Sequence, residues 1–222
     1  MKKIKSVHRL FYFGIVLISL SSCIGISADI QMRSNGSGRI TLEYRFSRMA
    51  EAIGRLDGNE RWNIIPTGRA DIERTVARID GLRLVSFSSR EDSRDIINRV
   101  TLEFNNIETL IKFLDPTGSR ASFSRQNGSN KLQLVLNEPV SSEINPDLLH
   151  LVQQVSEGYN VSFSFNAPGT SALTLTDGAG NPIDVPPHAE VVSANRRNVS
   201  LTIPTSEILR MTTGLGIIIT YE

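Results

Sequence analysis

The chain has 222 residues and one cysteine, Cys23. A single thiol excludes an internal disulfide, and with it the class of small secreted domains held by a disulfide framework. Histidine is nearly as scarce, with only His8, His150 and His188. So few, so far apart and with so little cysteine, they do not make a zinc ligand set. Tryptophan occurs once, as Trp62. No apolar run approaches the roughly 20 residues that cross a bilayer as a helix. The longest, LFYFGIVLISL, covers Leu10 to Leu20, and the late GLGIIITYE is only strand-sized. The nucleophile elbow GxSxG, the zinc motif HExxH and a phosphate-binding loop are all missing. These absences point away from an enzyme, and no cofactor or metal is implied.

The first residues are more informative. MKKIKSVHR carries Lys2, Lys3, Lys5 and Arg9, the short apolar run follows, and small residues Ser21 and Ser22 lead to Cys23. A basic start, a short apolar core and small residues make residues 1–22 a signal peptide. Leu20-Ser21-Ser22-Cys23 resembles the lipobox of bacterial lipoproteins. That resemblance implies cleavage before Cys23 and lipid attachment to its thiol, with the domain held outside the cytoplasm on the cell membrane or the outer membrane. Ile24 stands where an aspartate would oppose outer-membrane sorting. Two or three acyl chains, at about 0.8 kcal/mol per buried methylene, anchor a protein firmly.

Removing the leader takes four of the 24 basic residues and none of the 23 acidic ones, so a formal charge of +1 becomes about −3. A mildly acidic chain whose basic residues alternate with acids, as in RADIERTVARIDG, is a poor nucleic-acid binder. The remaining length and the 40% hydrophobic content suit a single domain over 23–222 with a real core, with a soft boundary near 138–145.

Periodicity predicts a chain of hairpins separated by helices. ADIQMRSNGSGRITLEYRF reads as a hairpin turning at Asn35-Gly36, with Ile40, Leu42, Tyr44 and Phe46 on one strand face. Helices are expected over 48–56, 69–81, 106–115 and 145–157. In LRLVSFSSRED, strict alternation places Leu82 and Leu84 on one face and Val85 and Phe87 on the other. RASFSRQNGSNKLQLVLNE is a second hairpin turning at Asn127-Gly128, and strands follow through Tyr159–Phe165, Ser171–Thr176, Glu190–Ile203 with a turn at Asn195, and Gly216–Tyr221. The expected fold class is therefore α+β, a mainly antiparallel sheet of hairpins with about four helices packed on it.

Candidate chemistry is thin. His150 falls in an apolar helical stretch and His188 follows Pro186-Pro187 in a loop. DGAGNPIDV offers Asp177, Asn181 and Asp184 to an ion, with fewer carboxylates than a calcium loop uses, so a hairpin turn is the simpler reading. Arg90, Glu91, Asp92, Arg94 and Asp95 crowd one segment, which suits a charged hairpin tip better than acid–base work. Trp62 among Arg45, Arg48, Arg55, Arg61 and Arg69 would suit a membrane interface or a core anchor with solvated neighbours.

The lipobox, the early strand pair, the hairpins with interspersed helices and the late segment SALTLTDGAGNPIDVPPHAEVVSANRRNVSLTIP together resemble the LppM-like bacterial lipoproteins. The resemblance covers most of residues 24–210 and implies binding of lipid or another envelope ligand. It assigns no binding residue, and no run here matches the C-terminal membrane helix many of those proteins carry. The expectation is a lipid-anchored, non-catalytic binding module for lipid-like ligands. Its alternative is a structural or protein-interaction lipoprotein of an envelope complex or cell surface. The membrane, through Cys23, is the expected partner in both.

Overall fold

The computed structural model describes residues 24–48, 68–126, 128–139, 156–169, 171–194 and 196–222. Eleven strands run through them in chain order. They are β1 (Ile24–Met32), β2 (Gly38–Ser47), β3 (Leu82–Glu91), β4 (Asp95–Phe104), β5 (Ala121–Gln126), β6 (Ser129–Asn137), β7 (Asn160–Asn166), β8 (Ser171–Thr176), β9 (Glu190–Ala194), β10 (Asn198–Pro204) and β11 (Leu215–Tyr221). Three short helices accompany them: α1 (Arg69–Val76), α2 (Ile107–Leu114) and α3 (Thr205–Arg210).

The strands form two sheets, one of seven in the order β3-β4-β2-β1-β7-β10-β9 and one of four in the order β5-β6-β11-β8. Neighbours are antiparallel except for β1 and β7, which run parallel at the middle of the larger sheet. Each sheet takes strands from both sides of 140–155.

The expected α+β arrangement, one sheet covered by about four helices, is corrected by this architecture. Among the described residues the chain is sheet-rich, 53% strand against 14% helix, with three helices and two sheets. Helices of six to eight residues are too short to cover seven strands. Side chains of both sheets instead join one buried apolar cluster. The expected helices over 48–56 and 145–157 lie almost wholly outside the described residues. The one expected over 69–81 stops at Val76, and Gly81, at φ +82, belongs to the turn that starts β3.

Register explains why the cluster is continuous. Leu84, Leu102, Ile40, Ile30, Phe165 and Val199 stand side by side on consecutive strands, and Phe87, Val100, Leu42, Ala28, Phe163 and Leu201 form the next row. In the smaller sheet Ala121, Leu134, Ile217 and Leu175 make one such row, with Phe123, Leu132, Ile219 and Leu173 beside it. Alternation with period two sends all of these to one face. Phe165 and Tyr221 link the two sheets, their ring centroids 5.0 Å apart. The β3 face assignment differs from strict alternation: a bulge between Leu84 and Ser86 rotates the strand, so Leu84 and Phe87 both meet the core while Val85 is left 41% exposed.

Candidate functional site

The same alternation that fills one face of the larger sheet with apolar groups gives the other face to polar ones. Ser86, Thr101, Thr41, Asp29, Ser164 and Ser200 form one row across it, and Ser88, Arg99, Glu43, Ser27, Ser162 and Thr202 the next. Ser27 is exposed, and Thr41, Ser162, Ser164, Ser200 and Thr202 are half-buried. The centre of the face is therefore a field of short hydroxyl side chains, open to water and carrying donors and acceptors.

The two ends of this face differ. At one end it is closed by a buried polar knot. The Tyr159 hydroxyl donates to Asp95 Oδ1 at 2.5 Å, and both residues are buried. Arg94 lies over the Tyr159 ring, 5.1 Å from its centroid, and donates to the Glu157 carbonyl at 2.8 Å. Arg45 stands 3.9 Å from Asp95 Oδ2. Burial, and the Asp95 carboxylate, push the Tyr159 phenol up. Asp92 accepts the backbone N–H groups of Arg94 and Asp95 at 2.8 and 2.7 Å, which shapes the β3–β4 turn and holds its carboxyl below the usual range. The crowded segment Arg90–Asp95 is thus a hairpin tip tied to the start of β7, and Asp95 and Arg94 do the tying.

At the other end four charged groups gather. Arg39 of β2 and Arg83 of β3 are the cross-strand neighbours of Glu103 on β4. Arg39 donates to Glu103 Oε1 at 2.9 Å, Arg83 bonds Oε2, and Arg33, just after β1, lies 3.5 Å from Oε1. The Arg39 and Arg83 guanidiniums hold the Glu103 carboxyl below its ordinary value. The Gln31, Asn166 and Asn198 amides continue the same row along β1, β7 and β10. Two shallow depressions of about 310 and 530 Å³ open here, and Arg33 borders both.

No family model and no curated protein matches the chain.

Of the described residues singled out from sequence, Arg45 and Arg48 join the Arg90–Asp95 segment and the others stand apart. Cys23, Trp62, Arg55, Arg61 and His150 lie outside the described residues. Arg69 pairs with Glu73 on α1, while Arg45 and Arg48 stand at the Asp95 end of the sheet. His188 is exposed at φ 62, and no group of three histidine, cysteine or acidic residues stands together among the described residues. Asp177 turns its carboxylate on its own loop: it accepts from Ala179 N at 2.9 Å, Asn181 N at 2.8 Å and Asn181 Nδ2 at 2.9 Å. That is a turn-forming aspartate with its lone pairs in use. Arg33, Arg39, Arg83 and Glu103 were not legible as a group. They are up to 70 residues apart in sequence, and only strand register brings them together.

Proposed function

We propose that the chain is a lipid-anchored, non-catalytic binding module of the bacterial envelope, tethered through Cys23, that meets its ligand with the polar face of the seven-stranded sheet. The observation that carries this reading is the division of that sheet. Its apolar face is committed to the shared core, and its opposite face presents hydroxyls, amides and an arginine cluster. Depressions among the described residues are shallow and lined largely by polar groups. A lipid-like ligand would therefore be engaged at its head group, with its acyl chains left in the membrane.

Two experiments test this. Cys23→Ser should move the protein from the membrane to the soluble fraction of cells; unchanged membrane association would oppose the anchor. A photo-crosslinking residue at Ser164 or Thr41, on the polar face, should capture a discrete adduct that one at Arg210 on α3 does not. Equal capture from both positions would remove the polar face from the account.

A second reading has its own observation. Among the described residues the outer edge of β9 has no strand partner, and Val192 on it and Val185 before it are 39% and 52% exposed. An open edge with apolar side chains suits strand addition by a protein partner. Proline at Val192 should abolish such an association and leave the Ser164 crosslink intact.

A further inference from the structure

The arginine cluster carries more positive charge than the carboxylate paired with it neutralises. Among the described residues, Arg33, Arg39 and Arg83 share one carboxylate, and Glu103 is the only acidic residue bordering either depression. Two positive charges are left over. Each guanidinium has five N–H donors, and Glu103 engages one nitrogen of each. Arg33 adds one contact to Ser37 Oγ at 3.4 Å. The guanidiniums are also well exposed, at 56, 44 and 69% of their side-chain surface, whereas Glu103 is exposed at only 21%. One largely covered acid and three more exposed bases form a cradle in which the acid takes up one of the three positive charges.

We propose that Arg33, Arg39 and Arg83 form a binding site for a phosphate group, with Glu103 as its resident counter-ion. This rests on the reading of the polar face as the binding face, and adds the ligand's chemical class and the residues that hold it. A phosphate group fits where a carboxylate does not. Its oxygens point in tetrahedral directions, matching guanidiniums that arrive from β2, β3 and the turn after β1, and arginine pairs with it through parallel hydrogen bonds. Its charge of up to two matches the excess. A carboxylate offers two coplanar oxygens, the geometry Glu103 already supplies. The larger depression leaves room for the rest of the ligand, and Gln31 and Asn166, at the border of the smaller one, can meet hydroxyl groups beside the phosphate.

The test uses the full chain in a neutral detergent, titrated calorimetrically with inorganic phosphate, dihexanoyl phosphatidylglycerol and, as a zwitterionic counterpart, dihexanoyl phosphatidylcholine. Saturable binding is expected for one or both of the first two. Tighter binding of phosphatidylglycerol identifies a lipid head group as the source of the phosphate, and equal binding identifies a free phosphate group. Arg39→Ala and Arg83→Ala should each weaken binding about tenfold or more, the scale of one lost charge-assisted hydrogen bond. Arg210→Ala, which removes an unrelated arginine–glutamate pair on α3, should leave it unchanged. Glu103→Gln is the decisive variant. Removing a competing anion should tighten binding several-fold, whereas a cluster that serves only to join strands would gain nothing and lose thermal stability. Binding that survives both arginine substitutions would overturn the site and leave the wider binding reading standing. So would weaker binding by a folded Glu103→Gln protein, or no saturable binding of either probe by folded wild type.

Discussion

Gly38 shows how closely single residues are fixed in this fold. It stands opposite Phe104 across the β2–β4 ladder, and a Cβ there would fall inside the space of the Phe104 ring and the Gln31 carbonyl. Gly38→Ala should therefore destabilise the protein by about 1–3 kcal/mol, as overpacking does, read as a lower urea midpoint. Tyr159→Phe removes the hydroxyl bonded to buried Asp95. It leaves a buried carboxylate short of a donor and should cost about 1–3 kcal/mol. Titration sets both pH limits of stability. The carboxyls of Asp92, Glu103, Asp115 and Asp177 lie below their ordinary values because N–H and O–H groups bond their charged forms. Asp115 is the extreme case, accepting from the Thr117 hydroxyl at 2.6 Å and from the backbone N–H groups of Gly118 and Ala121, each at 2.9 Å. The unfolded chain takes up protons first as pH falls. The contribution of these groups is thus complete above about pH 5 and is lost progressively below about pH 4. At the alkaline end, desolvation pushes the Tyr44 phenol up to about 12 from 10.0. Its contribution is present below pH 10 and lost as pH rises from there toward 12, and Tyr44→Phe should flatten that limb. A urea midpoint that rises on acidification below pH 4 would contradict the acid half of this account.

Elements differ in how much of themselves they disclose in sequence. Bulge and alternation make opposite statements about Val85 and Phe87, so β3 provides a test. Val85→Ser should change stability by no more than about 0.5 kcal/mol, as at an ordinary surface site. Phe87→Ser should cost about 2 kcal/mol or more because its ring packs on the core. Equal costs would mean that the two share a face. The β1–β2 and β5–β6 hairpins were legible because their turn chemistry is local, and Gly36 and Gly128 adopt positive φ, +81 and +82, as glycine in such turns does. The N-terminus of α2 was legible too, since Asn106 Oδ1 accepts the Thr109 N–H at 2.8 Å. The β3 bulge was hidden because nothing local marks the extra residue. The early end of α1 was hidden because Ile79 keeps helical spacing, yet it packs against the core from a turn. The parallel pairing of β1 with β7 joins residues more than 120 positions apart, and a single-chain pattern contains no trace of it. The arginine cluster inherits that opacity, for its members meet only through the β2–β4 and β3–β4 registers.

In both sheets a block of strands from before 140–155 meets a block from after it, at β1–β7 in one and β6–β11 in the other, and one apolar cluster joins the two sheets. Unfolding either half would break both junction ladders and expose the core that the two share, so calorimetry should show one cooperative transition with equal calorimetric and van't Hoff enthalpies. Two separated transitions would mean that the halves fold apart. With its apolar faces turned inward, the molecule keeps polar chemistry for its surroundings, and the central claim is that this chemistry does the binding. The most direct measurement is native mass spectrometry of the full chain, extracted from its own membranes in neutral detergent at low and at high salt. The account predicts a bound species of defined mass at low salt, lost at high salt as electrostatic contacts are screened, and absent from Arg39→Ala. A near-stoichiometric lipid that persists through high salt and through Arg39→Ala would contradict it, because such a lipid would have to be held by its acyl chains.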